Sequence, residues 1–321
     1  MNRALRPLAA TMIIFVLAYG AAALQYPSLL SSRVLGDLLT DNAFLGIAAV
    51  GMTFVILSGG IDLSVGAVIG FTGVFVAILI NWWGLHPLLA FALGLGVAAA
   101  FGAAMGSIIH YLEVPSFIVT LAGMFLARGA ASILSQDSIP IDHEFYHQVS
   151  AAFLKLPGGG RFTLIGGLML LIYVLGALLA HRTRFGSNVY ALGGGTTSAS
   201  LMGVPIARTT ILIYTLSSTM AGLGGIVFSL YTSSGYPLAA VGVELDAISA
   251  VVIGGTMLSG GYGFVAGTFI GVILQGLVQV YIIFDGSLSS WWTKIVIGFL
   301  LFVFILMQRL LFSAASPRRI D

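Results

Sequence analysis

Cysteine is absent from this 321-residue chain, and charge is scarce: only 7% of its residues are Asp, Glu, Lys or Arg. The first absence removes disulfide frameworks, thiolate metal sites and cysteine nucleophiles together. The second removes the soluble enzymes, because a water-borne domain carries about 25% charged residues. Thirteen Lys+Arg against eleven Asp+Glu leave a net charge of +2, far from the basic field that nucleic-acid binding draws on. Lysine occurs only at Lys155 and Lys294, followed by Leu and Ile. There is thus no Gly-Lys-Ser/Thr and no phosphate-cradling P-loop, so any ATP that drives the protein is bound by another polypeptide.

What fills the chain instead is apolar: 59% hydrophobic residues and a mean hydropathy of +1.07. A helix needs about 20 apolar residues to cross roughly 30 Å of hydrocarbon. Ten segments approach that length: 8–24, 43–58, 64–83, 87–109, 116–135, 162–180, 209–230, 245–258, 264–283 and 291–311. They predict an all-α integral membrane protein of about ten transmembrane helices in a single membrane-embedded domain over 1–321. The first segment follows Arg3 and Arg6 and ends near Ala21-Ala22-Ala23, as a signal peptide would; with nine spans behind it, a retained helix is expected. Lys/Arg asymmetry sets orientation. With the N-terminus inside, Arg3, Arg6, Arg182, Arg184, Arg208, Arg309, Arg318 and Arg319 are cytoplasmic, and Arg33, Lys155, Arg161 and Lys294 are outside. Both termini are then cytoplasmic, and Trp82, Trp83, Trp291 and Trp292 fall at outer span ends, as an aromatic belt requires.

A shift of 201 residues lays IAAVGMTFVILSGGIDLSVGAVIG (47–70) on ISAVVIGGTMLSGGYGFVAGTFIG (248–271), with ten of 24 positions identical. Such a repeat suggests a duplicated transporter core whose site lies where interrupted helices meet. Ser58-Gly59-Gly60 and Ser259-Gly260-Gly261 are the expected interruptions, with Asp62 and Ser64 following the first. A carboxylate two residues after a Gly-Gly break is expected to cap the next helix. Gly66/Gly70 and Gly102/Gly106 offer smooth faces for close helix approach. Few ionisable groups lie inside or beside spans: Asp62, Arg128, Glu244 and Asp246. Arg128 is expected to pair with an acid such as Asp246, because an unpaired charge in the membrane is expensive. That sparse supply argues against a charged or strongly ion-coupled substrate and for a neutral, hydroxyl-rich one.

One motif points elsewhere. His143-Glu144-Phe145-Tyr146-His147 is a literal H-E-x-x-H, which on a helix would place two imidazoles for zinc with Glu144 as base. A catalytic site also needs a third protein ligand. The extended pattern fails, since position 150 is Ser and no further His occurs before His181. The stretch 136–150 reads as an external loop with an interfacial helix. The longest inside loop, 181–208, carries a short helix-like stretch at 197–202 between Gly195 and Gly203, a reasonable docking knob for a cytoplasmic motor.

Several long motifs occur in order: Ser58-Gly-Gly-Ile-Asp-Leu-Ser-Val-Gly66, Pro115-Ser-Phe-Ile-Val-Thr-Leu-Ala-Gly-Met124, Val189-Tyr-Ala-Leu-Gly-Gly194, Leu201-Met-Gly203, and Glu244-Leu-Asp-Ala-Ile248 leading to Gly254-Gly255. Together they resemble the ribose-type sugar ABC importer permeases over essentially residues 8–312. Asp41–Ile47, His181–Gly186 and Leu288–Lys294 are similar to a permease subunit of the bacterial galactofuranose importer. The resemblance implies a multi-pass protein of the bacterial inner membrane that imports a neutral monosaccharide, galactofuranose on the finer match, by alternating access. It implies no cofactor in this chain, with ATP and Mg bound by cytoplasmic ATP-binding subunits. Its other partners would be a second permease chain, in a heterodimer or homodimer, a periplasmic sugar-binding protein and the bilayer, with no nucleic acid. Gly193, Gly194, Ala199, Gly203 and Arg208 would belong to the ATPase-coupling loop 181–208. Many relatives carry an acidic residue just after the Gly-Gly pair, where this chain has Gly195-Thr196-Thr197, so docking here would rest on shape. The alternatives are an ion-coupled secondary transporter and a membrane zinc protease at 143–147.

Overall fold

The computed structural model describes residues 6–313, and among these the secondary structure is helical apart from four short strands. Arg3, Arg318 and Arg319, counted above for orientation, lie outside the described residues, as do the side chains of Arg6 and Arg309. The helices in chain order are α1 (Arg6–Gln25), α2 (Ser32–Asp41), α3 (Ala43–Leu57), α4 (Val65–Asn81), α5 (Pro87–Tyr111), α6 (Ser116–Leu134) and α7 (Glu144–Ala151). They continue with α8 (Leu164–Arg182), α9 (Arg184–Gly194), α10 (Thr196–Leu201), α11 (Ile206–Thr232), α12 (Val243–Ile253), α13 (Val265–Asp285) and α14 (Trp291–Ser313).

Each of the ten expected segments falls on a helix, but they are not ten equal spans. Seven helices, α1, α5, α6, α8, α11, α13 and α14, are long and apolar enough to cross a membrane, or eight if α2 and α3, bent by 55°, make one. The 17 residues of α4 and the 11 of α12 fall short. Length of apolar sequence overestimated them because both sit at chain breaks, which periodicity does not register.

At the centre stands α3, apolar on all faces and buried at every residue but Phe44. A helix hydrophobic all round is a core helix. Around it pack α8, α11, α12 and α13, while α4 lies against α5, α6 and the long α11. The α5–α11 approach is the close one: a methyl at Gly106 would stand 2.8 Å from the Ile211 Cα. Apolar side chains at α1, α5, α6, α8 and α14 remain exposed, among them Leu17, Leu89, Phe125, Leu171 and Phe299, as a lipid-facing perimeter requires.

Between α6 and α8 the chain folds over one end of the bundle. Strand β1 (Ile139–Pro140) pairs with β4 (Ser234–Gly235) in antiparallel register. Strands β2 (Phe153–Lys155) and β3 (Arg161–Thr163) form a hairpin. Helix α7 is the expected short helix of this loop. Its Tyr146 is fully buried, with the hydroxyl 3.1 Å from Ser229 Oγ of α11. Burial pushes that phenol up to about 12.

Candidate functional site

The two aligned segments, 47–70 and 248–271, both run helix–break–helix, and the reason is local. Helix α3 ends where the Gly60 amide donates to Val55 O (3.0 Å) and the Gly59 amide to Ile56 O (2.9 Å). Helix α12 ends the same way, Thr256 N to Val251 O (3.2 Å) and Gly255 N to Val252 O (2.9 Å). Both are Schellman terminations, which need a left-handed residue. Gly59 (φ 83°) and Gly255 (φ 91°) supply it. In the sequence alignment Gly59 matches Gly260, not Gly255. The second break therefore opens earlier and runs longer, 254–264 against 58–64.

The breaks touch each other. The Gly261 amide donates to Leu57 O at the end of α3 (2.8 Å), and the Ser259 carbonyl lies against Gly59. Thr53 Oγ1 and Thr268 Oγ1, on α3 and α13, stand 2.8 Å apart. Into this junction comes the end of α9. A methyl on Gly193 would overlap the Leu57 carbonyl oxygen and the Gly261 amide nitrogen, so only glycine admits the approach. Tyr190, one turn earlier, donates its hydroxyl to Gly263 O (2.7 Å), and Phe185 stacks on Phe54. Burial and the neighbouring Tyr262 push the Tyr190 phenol up to about 12, which keeps it a donor. The loop 181–208 thus reaches both breaks by backbone contact, an arrangement no motif announced.

The first break is held on its other sides as well. Ser116 Oγ of α6 accepts from the Ile61 amide (3.3 Å), and Thr120 Oγ1 donates to the Ile61 carbonyl (3.2 Å). Asp62 is fully buried. Its Oδ1 accepts from the Ser64 amide (2.9 Å) and hydroxyl (2.6 Å), and its Oδ2 from Ser217 Oγ of α11 (2.7 Å). The expected cap is shifted: α4 starts at Val65, Ser64 occupies the N-cap position, and Asp62 serves from two residues further out while also fastening α11. The hydroxyl pair Ser217-Ser218 in an otherwise apolar span was the available signal for that partner. Ser58 turns its hydroxyl back onto Val55 O (2.7 Å).

The remaining loop residues divide. Ala199 of α10 is buried, whereas Gly194 has open space around it. Gly203 (φ 78°) turns the chain from α10 toward α11, also in open space. Arg208 lines a cavity of about 920 Å³ with His181, Arg182, Arg184 and Gly203. Among the described residues none of these arginines has a carboxylate partner.

One expected contact is replaced by others, and the zinc alternative finds no support in the geometry. Arg128 does not pair with Asp246. Its Nη1 donates to Pro237 O (2.6 Å) and Ala239 O (2.8 Å) in the segment before α12. Asp246 instead receives Lys294 of α14 (2.6 Å). Helical spacing could not reveal that α14 brings a lysine to the same level. In the H-E-x-x-H stretch, His143 is the N-cap of α7, its Nδ1 accepting from the Phe145 amide (3.1 Å). His147 Nε2 donates to Asp142 (2.8 Å), and Glu144 Oε1 accepts from Gln148 Nε2 (3.0 Å). The two imidazoles are engaged separately, and among the described residues no group of three metal-capable side chains forms.

Comparison with known proteins settles the family. The family model described as branched-chain amino acid transport system / permease component matches residues 34–305. This chain belongs to that permease family. It is 61% identical to the inner membrane ABC transporter permease protein YjfF of Escherichia coli (strain K12), over 94% of this chain and 92% of that protein. It is 36% identical to the fructose import permease protein FruG of Bifidobacterium longum (strain NCC 2705), over 99% and 95%. Against the ribose import permease protein RbsC of Bacillus subtilis (strain 168) the identity is 35%, over 88% and 87%. Within the family the chain is a ribose-type sugar ABC importer permease, a multi-pass protein of the inner membrane.

Proposed function

We propose that this permease admits a neutral monosaccharide, galactofuranose by the resemblance at 41–47, 181–186 and 288–294, and that partner subunits supply the energy. Both termini are cytoplasmic, the helices around the two breaks are a duplicated core, and a second permease chain completes the path. The carrying observation is the three-way contact of Gly193, Leu57 and Gly261. A push on the α9–α10 loop reaches both breaks without an intermediary, so nucleotide-driven movement of an ATP-binding subunit would bias two packings of the core. The arginine-lined groove at 182, 184 and 208 offers that subunit a positive surface for its carboxylates, and the exposed Leu201 and Met202 offer an apolar knob. A periplasmic binding protein would deliver the sugar, and nothing covalent happens to it.

The test is uptake by the whole complex in vesicles, with ATP inside and the binding protein outside. Galactofuranose is expected to accumulate, ahead of ribose and fructose, and only with ATP and the binding protein both present. Accumulation that persists without ATP and collapses with an ion gradient would establish a secondary transporter instead. Preference for another sugar would leave the coupling and remove galactofuranose.

A further inference from the structure

The backbone between α11 and α12 is non-helical over most of 233–242, yet it runs deep inside the bundle. Gly235 lies against Gly73 and Ala77 of α4, the carbonyls of Pro237 and Ala239 lie against Gly70, and Ala240 O and the Glu244 carboxylate lie against Gly66. From 77 to 66 is about 16 Å along a helix, and α4 packs among α5, α6 and α11, all three of spanning length. Irregular backbone at this depth is tolerated only where protein buries it or where it lines water. Arg128 satisfies its inner side through two carbonyls. With no Cβ, Gly66 and Gly70 make room for this backbone segment: an added methyl would meet Ala240 O and Glu244 at the first and the Pro237 and Ala239 carbonyls at the second.

Its other side is open. Tyr236, Leu238, Val241 and Leu245 are 39%, 52%, 66% and 59% exposed. Charge gathers along the same stretch: Glu244 beside Arg128, with its Oε2 buried and without a hydrogen-bond partner, then the Asp246–Lys294 pair. Next to that pair lies a cavity of about 410 Å³, lined by Asn42, Asp246, Gln275, Gln279, Trp291 and Lys294 among others. Ligand sites usually measure about 300–1,000 Å³. In a chain so poor in charge, this cavity gathers three amide side chains, an ion pair and an indole. Such donors and acceptors suit a neutral polyhydroxylated solute, with the indole to cover an apolar sugar face.

We propose that residues 236–246 form one wall of a water-filled passage, and that the adjoining Asn42–Gln279–Trp291–Lys294 cavity is a station where a monosaccharide pauses. The passage stands on the backbone and charge alone; the identity of the solute rests on the sugar-permease reading.

The natural lack of cysteine makes the test direct. Single cysteines at Val241 and Leu245, and at the exposed span positions Leu93 and Leu171 as controls, are treated in the intact complex in vesicles with a charged, membrane-impermeant thiol reagent. Labelling is read on this chain after separation. Val241→Cys and Leu245→Cys are expected to react at least about tenfold faster than the controls, since a charged reagent is excluded from hydrocarbon. Labelling no faster than at Leu93→Cys and Leu171→Cys means lipid or a partner chain covers the face, and the passage is overturned. Saturating monosaccharide is expected to slow labelling of Leu245→Cys, and Gln279→Leu to raise the sugar concentration that this protection requires. Labelling that no monosaccharide slows, in a complex that imports one, overturns the station. Fast labelling in a complex that imports no sugar overturns the sugar reading and leaves the passage intact.

Discussion

Gly193→Ala is the smallest perturbation that addresses the coupling contact. The added methyl would overlap Leu57 O and Gly261 N and stand 3.0 Å from the Leu57 carbonyl carbon, all backbone atoms that no rotamer change can clear. Relief requires α9 to withdraw or the two breaks to part, and parting them costs the Gly261 N–Leu57 O hydrogen bond. Overpacking costs about 1–3 kcal/mol, and a buried backbone pair left unsatisfied costs about 1–3 kcal/mol more. The packing in which the loop seats on both breaks thus loses about 2–6 kcal/mol, and about 2 kcal/mol already shifts a population about thirtyfold. The paired control is one residue on: Gly194 has nothing within reach of a methyl, so Gly194→Ala should be neutral. In vesicles, Gly193→Ala is expected to insert normally, to hydrolyse ATP at the basal rate, and to lose sugar uptake with its stimulation of hydrolysis. Uptake by Gly193→Ala within twofold of the parent would refute the argument, as would equal damage from Gly194→Ala.

Other expectations follow from neighbouring contacts. Asp62→Asn keeps an acceptor for Ser64 and should retain most transport. Asp62→Ala leaves Ser64 and Ser217 unmatched and should lower thermal stability by about 1–3 kcal/mol; a dead but equally stable Asn variant would give the carboxylate a larger role. Gly203→Arg, a branched cation in a left-handed turn of the coupling loop, should abolish uptake and ATPase stimulation with normal insertion, and unchanged uptake removes the turn from the coupling path. Arg128→Met strands the Pro237 and Ala239 carbonyls and should speed amide exchange at 236–246 while leaving the helices around α3 protected. Tyr146→Phe should cost about 0.5–1.5 kcal/mol, seen as a lower melting temperature. Because burial raises the Tyr146 phenol to about 12, folding binds its proton more tightly than the unfolded chain does. Its contribution is therefore constant below about pH 10 and declines above it, and that high-pH decline should vanish in Tyr146→Phe.

The bilayer as solvent, the helical class and the family are legible without coordinates, because each is written in composition or in short ordered motifs. Seven percent charge cannot cover a water-facing surface, and Ser58-Gly59-Gly60 is a sequence at which a helix readily ends. The two Ser-Gly-Gly motifs both fall within breaks, although the second break opens five residues earlier than its motif, and the Gly195–Gly203 stretch placed α10. Only tertiary structure decided who meets whom. Arg128 serves the 237–239 carbonyls, Lys294 claims Asp246, Ser217 reaches Asp62, and Gly193 enters between Leu57 and Gly261, across separations of 48 to 155 residues. Likewise α4 and α12, both apolar enough to be taken for full spans, are short because Schellman turns and a descending non-helical strand share their depth. Hydropathy reports what each segment avoids; the partners of its few polar groups depend on which helices the packed bundle brings side by side.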